Sequence, residues 1–268
     1  MRIVGLTAML VVIALTAGCG SSSLRSSAST APARHASSLP AGGHGGLQPG
    51  RAERGSAVSR LRLGRSEHGR AIFAVHAGDP HDVRVLVVGC IHGNEGAGIA
   101  IARALERRHA GADLWIVPDL NPDGHARGTR QDGRGVDLNR NWSSQWQRGG
   151  VPWDTYYAGS QPFSERESRI ARNLIRRVHP RVTIWFHQHM NLVWAWGPSS
   201  AAGRIYARAA RMYYYHRPWL PGTAANWQNH HQRGSSAITV ELPAGRLSPT
   251  QVRRHVRAVL TLAARTRG

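Results

Sequence analysis

The chain has 268 residues, of which 41% are hydrophobic, enough to form one domain with a full core. Its formal net charge is +20, a value that often indicates binding to nucleic acid. Here, however, the chain contains no Lys, and its arginines are scattered rather than interleaved with aromatic residues as in a stacking groove. We therefore exclude nucleic acid as a partner and expect only that a cationic domain tolerates, or is drawn to, a polyanionic envelope.

Residues 1–19 are typical of a bacterial export signal. Arg2 precedes an apolar run, Ile3–Ala17, that is too short to span a bilayer comfortably. The segment ends in LTAGC, which resembles a lipobox in which Cys19 becomes the lipid-modified first residue of the mature protein. The usual pattern has Leu three residues before the cysteine, where this sequence has Thr16. We expect a lipoprotein anchored in the membrane at the cell envelope, with plain secretion as the alternative.

The next segment, residues 20–57, is rich in Ser, Ala, Gly and Pro, which predicts a disordered tether. The folded domain is expected to span residues 58–268. Once Cys19 is lipidated or removed, Cys90 has no partner for a disulfide. Because Cys90 lies within an apolar run, we predict a small buried hydrophobic residue rather than a nucleophile.

Apolar patterns along this domain predict alternating strands and helices. The predicted strands are Ala71–Val75, Val83–Val88, Leu114–Val117, Val182–Phe186, Leu192–Trp196 and Ala237–Leu242. The predicted helices are Glu95–Arg108, one that follows a capping box at Ser164–Glu167, Ala201–Tyr215, and one that begins at Ser248-Pro249. The segment from His125 to Pro162 has no regular period and is expected to be a long functional loop. This alternation predicts an α/β fold: a single three-layer α/β/α domain with a mixed, largely parallel sheet.

The stretch Val83–Gly98, VRVLVVGCIHGNEGAG, joins a buried strand to a glycine-rich turn. His92 and Glu95 follow the end of this strand, where open α/β sheets place their sites. An imidazole nitrogen and a carboxylate oxygen suit Zn²⁺. On its own the pair is weak evidence, because such residues on a turn are often ordinary surface polar groups.

Five short motifs follow one another in a specific order. They are HGNE at 92–95, NPDG at 121–124, GVDLNRN at 135–141, the single His187, and TVEL at 239–242. This order resembles the zinc carboxypeptidase family and, within it, the compact bacterial murein-tripeptide amidases, which cleave the bond between γ-D-glutamate and meso-diaminopimelate. The resemblance covers about residues 59–243 and implies a zinc carboxypeptidase-like fold with one Zn²⁺ per chain.

The resemblance also implies a role for each matching residue. It makes His92, Glu95 and His187 the zinc ligands, Glu241 the catalytic base acting on zinc-bound water, Arg130 the oxyanion stabiliser, Asn139 with Arg140 the clamp on a substrate carboxylate, and Asp137 the carboxylate that holds one histidine ring. The larger carboxypeptidases carry a Tyr before the catalytic Glu, on a mobile loop. In that region this chain has Trp227, which is expected to pack on substrate.

Some assignments stay open at this stage. His189 competes with His187 as the third ligand, because residues two apart on a strand share a face. Arg127 and Arg134 compete with Arg130 in the same loop. We also expect the loop 149–160 and Trp194, Trp196 and Trp219 to line the pocket, although such aromatic residues more often belong to a core.

These observations predict an exported, monomeric zinc metallopeptidase that hydrolyses an amide beside a carboxylate-bearing residue in muropeptides or similar short peptides. The membrane is a partner only through the lipid anchor. One alternative is an ordinary metallocarboxypeptidase that releases C-terminal L-amino acids. A second is a non-catalytic envelope-binding lipoprotein, which would have no need of the ligand set or of Glu241.

Overall fold

The domain is a mixed β-sheet with helices packed on both faces, as a computed structural model shows for residues 58–108 and 111–266. The strands are β1 Ser59–Arg65, β2 Ala71–Gly78, β3 Arg84–Val88, β4 Asp113–Val117, β5 Val182–Trp194, β6 Tyr213–Tyr215 and β7 Ser236–Pro243. The helices are α1 Ala97–Leu105, α2 Pro122–Arg127, α3 Arg166–Val178, α4 Ser200–Ala210, α5 Ala224–His231 and α6 Pro249–Arg265. The predicted fold class is confirmed. The predicted signal segment and tether lie outside the described residues and stay predictions, and no described helix is long and apolar enough to cross a membrane.

Strand order places the carboxyl ends of β3 and β7 and the middle of β5, near His187, at the same edge of the sheet. The order runs β1-β2-β4-β3-β5, and β3 is parallel to both β4 and β5. The first part of β5 pairs in parallel with β7, so that His187 is opposite Glu241. The chain then reverses direction, so that Leu192–Trp194 run antiparallel to β7. The same three residues also pair with β6. The two strands predicted between 182 and 196 are therefore two arms of one element.

Apolar residues on both faces of the central strands explain the three layers. In β3, Val85 and Val87 pack in a core with α1, α4 and α6. Leu86 and Val88 point the other way, into a core with α3 and α5. An unbroken apolar strand is the pattern expected for a parallel strand covered on both faces.

Two local predictions are wrong. The Tyr213–Tyr215 segment was expected to end a helix, but α4 stops at Ala210 and Arg211 adopts a left-handed conformation. The three tyrosines instead form β6 against Leu192–Trp194, because aromatic side chains suit a half-buried pleated surface. The capping box at Ser164 is also absent: the Ser164 hydroxyl donates to Glu165, while α3 has no side-chain cap. By contrast, the predicted start of α6 is confirmed, with a capping box between Ser248 and Gln251.

Gly98 allows α1 to pack closely against the strands that carry the candidate ligands. A Cβ atom at this position would collide with the Gly89 carbonyl oxygen and with Cβ of Phe186. Gly89 precedes His92 in the chain, and Phe186 precedes His187. The missing side chain therefore lets these two segments approach each other beneath the helix.

We expect the Gly98→Ala substitution to destabilise the domain by about 1–3 kcal/mol, because the added methyl group has no space. At an exposed position inside a helix, replacing Gly by Ala has the opposite effect and stabilises the protein by about 1 kcal/mol. Urea unfolding measures the difference. Ala100→Gly, at an exposed position of the same helix, is the control and should cost only about 1 kcal/mol. A Gly98→Ala protein as stable as the wild type would contradict the close packing.

Candidate metal centre and catalytic pocket

The donor atoms of the three predicted metal ligands lie within 2.9–3.1 Å of one another. His92 and Glu95 lie on the turn after β3, and His187 lies where the first arm of β5 ends. His92 Nδ1 is 2.9 Å from Glu95 Oε2, His187 Nδ1 is 3.0 Å from the same oxygen, and the two nitrogens are 3.1 Å apart. All three residues are buried, and within the described residues they form the one His/Cys/Asp/Glu group with the spacing of a metal site.

The donor set fits zinc. Two imidazole nitrogens and one carboxylate oxygen are the ligands of a catalytic zinc site that keeps one open position. With bonds of about 2.0–2.1 Å, ligands around a tetrahedral ion lie about 3.3 Å apart, close to the spacing seen here. Burial alone would raise the pKa of Glu95, but His92 and His187 hold it well below its ordinary value, so this carboxylate is charged.

Asp137 fixes the ring of His92. Its Oδ1 is 3.0 Å from Nε2 of His92, so the other ring nitrogen, Nδ1, faces Glu95 and His187. Burial alone would raise the pKa of Asp137, but His92, Arg130 and Arg140 hold it well below its ordinary value. A carboxylate bonded to the far side of a ligating imidazole sets its tautomer and orientation. This is the position that the sequence predicts for Asp137.

The two candidate histidines after Phe186 differ in placement. His187 is 3% exposed and faces the cluster, whereas His189 is exposed at the rim of the same cavity. The regular pairing of β5 with β7 breaks at His189, and the chain reverses before Leu192. The alternation that gave both histidines one face therefore does not extend to His189.

Glu241 lies beside the ligand cluster with a free oxygen. It occupies β7 opposite His187 and lines the cavity. Its Oε2 is buried and has no hydrogen-bond partner among the described residues. Desolvation raises the pKa of this carboxyl above its ordinary value. A carboxylate with a higher pKa and no competing donor is suited to accept a proton.

Of the three candidate arginines in the loop, the structure brings Arg130 to the site. Its guanidinium donates to Oδ2 of Asp137 at 2.9 and 3.0 Å and to Oε1 of Glu95 at 3.2 Å. Arg127 instead lies over Trp153, and Arg134 pairs with Glu165. Arg130 therefore reaches the metal centre through the same carboxylates that organise it.

The predicted carboxylate clamp lies in the cavity next to the metal centre. Arg140 and Asn139 both line this cavity, which has a volume of about 510 Å³. Arg140 donates one hydrogen bond to the Asn139 carbonyl at 2.8 Å, and the Asn139 side-chain oxygen accepts from Ala224 N at 3.0 Å. These bonds leave most of the Arg140 fork available for an anion in the cavity.

The prediction that Trp227 packs on substrate is wrong. The segment Ala224–His231 folds as α5, which turns Trp227 into the core, where it is 4% exposed. Its ring stacks on His231 with centroids 5.4 Å apart and contacts Trp142. Trp194 and Trp219 do line the cavity, whereas Trp196 lies against His216 outside it.

The 149–160 loop lies at the pocket, as predicted, but the residue that enters the pocket, Tyr156, has no signal in the sequence. This side chain is 62% exposed, lines the cavity and lies over two guanidinium groups, 5.0 Å from Cζ of Arg140 and 5.5 Å from Cζ of Arg130. The loop is held on both sides of it: Gln131 donates to the Trp153 and Asp154 carbonyls, and Asp137 N donates to the Tyr157 carbonyl. Because an isolated Tyr has no periodic signature, only the tertiary fold reveals this contact.

We expect the Tyr156→Ala substitution to weaken binding of a carboxylate-bearing substrate about two- to five-fold, since an arginine–aromatic contact at an exposed site contributes about 0.5–1 kcal/mol. KM should rise while kcat changes less. Tyr156→Phe keeps the ring and should behave as the wild type. Equal losses in both variants would show that the hydroxyl group, and not the ring, is what matters.

Comparisons with known proteins agree with this geometry. A family model described as zinc carboxypeptidase matches residues 49–231. Carboxypeptidase B of Astacus astacus is 33% identical over 33% of this chain and 36% of its own length. Carboxypeptidase A6 of Homo sapiens is 28% identical over 51% of this chain and 39% of its own length. Murein peptide amidase A of Escherichia coli K12 is 29% identical over 51% of this chain and 62% of its own length. The chain thus matches well under half of the length of the two carboxypeptidases and about three-fifths of the amidase.

Solved structures show the same fold. The murein-tripeptide amidase from Escherichia coli O157 superposes with a TM-score of 0.63 at 24% identity, over 80% of this chain and 95% of that one. Carboxypeptidase A from Helicoverpa armigera gives a TM-score of 0.66 at 20% identity, over 78% of this chain and 68% of that one. At these identities the likeness establishes the architecture of the domain.

Proposed function

This chain belongs to the zinc carboxypeptidase family, and from that premise we propose that it is a zinc peptidase that hydrolyses an amide bond beside a carboxylate-bearing residue in short cell-wall peptides. The observation that carries the proposal is the meeting of the donor atoms of His92, Glu95 and His187 within 2.9–3.1 Å of one another. Glu241 and Arg140 line the same cavity. Ligands, base and anion clamp thus converge in one place.

The proposed chemistry divides between the ion and the protein. A zinc ion held by His92, Glu95 and His187 would lower the pKa of water to about 7 and polarise a carbonyl group. Glu241 removes a proton from the attacking water and passes it to the leaving amine. Its unpartnered Oε2 and raised pKa support this role, because the group accepts a proton readily and no protein donor competes for that oxygen.

The two arginines in the cavity have separate roles. Arg140 binds a substrate carboxylate with its planar fork, which fixes the position of the scissile amide. Arg130 stabilises the negative charge that develops on the reacting carbonyl oxygen. To do so, one of its N–H groups turns from Glu95, where it is bonded at 3.2 Å, towards the substrate. The bonds to Asp137 keep the guanidinium in place during this change.

The charge of the cavity supports a substrate with several carboxylates. Arg130 and Arg140 line it, and its two carboxylates, Glu95 and Glu241, are assigned to the metal centre and to the base. In a peptide with γ-D-glutamate bonded to meso-diaminopimelate, carboxylates flank the scissile amide on both sides. The likeness to murein peptide amidase A supports the same substrate class. Export, lipidation of Cys19 and a monomeric state complete the proposal and rest on the sequence.

A metallocarboxypeptidase that releases C-terminal L-amino acids is the second candidate, supported by the matches to carboxypeptidases B and A6. It would use the same ligands, base and clamp, and would differ only in the pocket for the side chain. The non-catalytic binder is less well supported, because the ligand set and the free carboxylate of Glu241 would then be without use.

The substrate test compares two peptide classes. We expect the purified zinc-loaded protein to release diaminopimelate from L-Ala-γ-D-Glu-meso-diaminopimelate and to leave C-terminally extended L-peptides intact, as measured by chromatography. Glu241→Gln should lower kcat at least 100-fold and keep its zinc, because proton transfer contributes about 10²–10⁴-fold. Glu106→Gln, at the end of α1, is the matched control with unchanged kcat. Cleavage of the L-peptides alone would favour the carboxypeptidase, and cleavage of neither would contradict both.

Metal analysis tests the ligand set separately from activity. We expect one zinc per chain, which a chelator removes and added zinc restores. His187→Ala should lose most of its zinc, since two protein ligands are left, whereas His189→Ala should keep it. A lower melting temperature after chelation is expected, because an ion that binds only the folded state stabilises it. Zinc loss in His189→Ala alone would reverse the assignment of the third ligand.

A further inference from the structure

A second cavity lies at the opposite end of the parallel strands from the metal centre. It has a volume of about 700 Å³ and is lined by residues of α3 and α5, by Ser143 and Phe163, and by residues 179–181 and 232–235. These segments lead into the first residues of β5 and β7, whereas His187 and Glu241 lie further along the same strands. The metal centre and this cavity therefore have separate linings.

The lining of this cavity is strongly basic. Among the described residues it contains three histidines, no Asp or Glu, and four arginines: Arg172, Arg176, Arg181 and Arg233. None of the four forms an ion pair with a carboxylate of the described chain. The arginines of the metal centre and its loop do, as Arg130 pairs with Asp137 and Arg134 with Glu165. The charge of the second cavity is thus not neutralised by the fold.

Arg172 shows this imbalance most clearly. Its guanidinium lies over the ring of Phe163, 4.6 Å from the centroid, and its Nε is buried without a hydrogen-bond partner. Burial and the like charges of Arg176 and Arg169 lower the pKa of this side chain. Leaving a buried donor unpaired is costly. Arg172 also lines the cavity, where the rest of its planar guanidinium suits an anion.

The dipoles of the two helices explain part of the basic lining but not all of it. Arg176 lies in the last turn of α3, and His230 and His231 lie in the last turn of α5, where cations stabilise the helix end. Arg172 lies in the middle of α3, and Arg181 and Arg233 lie outside any helix. A cluster that collects arginines from three separate segments requires another explanation.

We propose that this cavity binds a polyanion made of linked phosphate groups. Four guanidinium groups without a carboxylate partner suit several phosphates, because each planar fork matches two phosphate oxygens. Arg181 donates one hydrogen bond to the Gly234 carbonyl at 2.8 Å, which leaves its other N–H groups for an anion. The cavity is much larger than one phosphate ion. Nucleic acid is less suitable, because bases stack on free aromatic faces. Here Arg172 covers one face of Phe163, and Trp227 is 4% exposed and stacked on His231.

The test measures binding of linear polyphosphate to the zinc-loaded full-length protein by isothermal titration calorimetry, at several salt concentrations. We expect saturable binding that the double variant Arg172→Gln/Arg176→Gln weakens about ten-fold or more, with a shallower salt dependence. The control is Arg253→Gln/Arg257→Gln, which removes the same charge from exposed positions, also four residues apart on a helix, outside the cavity. Because Arg172 packs on Phe163, a second variant, Arg176→Gln/Arg233→Gln, changes exposed residues only and should also weaken binding.

Three results would overturn the proposal. Equal weakening by the control would show that only net charge matters. Absence of saturable binding at physiological ionic strength would show that no site exists. Tighter binding of a single-stranded oligonucleotide with the same number of phosphates would identify a nucleic-acid site instead. Peptide hydrolysis is measured in parallel and should be unchanged in every variant, so this test is independent of the proposed peptidase activity.

Discussion

The carboxylate of Asp137 joins the parts of the candidate metal centre that come from distant positions in the chain. It is completely buried, and both of its oxygens are bonded. Oδ1 accepts from His92 and from the backbone of Asn139, while Oδ2 accepts two bonds from Arg130. A buried carboxylate is costly unless it is fully paired, and these partners meet that cost. The orientation of the His92 ring, the position of Arg130 and the start of the segment with Asn139 therefore depend on one side chain.

The sheet supplies the second constraint. Parallel strands place their carboxyl ends at one edge, so the turn after β3 and the end of the first arm of β5 approach each other without long connections. The pairing of β5 with β7 then sets Glu241 opposite His187. A shift of one residue in this register would turn Glu241 to the other face of the sheet. The distance between Glu241 and His187 is thus fixed by backbone hydrogen bonds rather than by a flexible loop.

The layered fold, the family and the cluster of His92, Glu95 and His187 could be predicted from the sequence. Apolar runs and helical periods predicted the three layers, because the central strands are apolar on both faces. The order of motifs predicted the zinc carboxypeptidase family. The match to the family model confirms this family, and with it the prediction of a zinc metallopeptidase. His92, Glu95 and His187 were expected together, and the structure does bring them together.

Other features depend on contacts that no local pattern encodes. The prediction for Trp227 is wrong because the short helix α5 has little amphipathic pattern, so the sequence indicates neither the helix nor its buried face. Tyr213–Tyr215 pair with Leu192–Trp194 on the other side of α4. Tyr156 reaches the pocket only because bonds from Gln131 and Asp137 hold its loop over the arginines. In each case the tertiary partner decides the outcome.

The buried thiol of Cys90 has a consequence of its own. It is inaccessible, its Sγ donates to the carbonyl oxygen of His92 at 3.1 Å, and burial raises its pKa well above the ordinary value. A thiol in this state scarcely reacts with alkylating reagents until the surrounding segment opens. Because Cys90 lies two residues before His92, its rate of alkylation reports how often the turn that carries His92 and Glu95 detaches from the sheet.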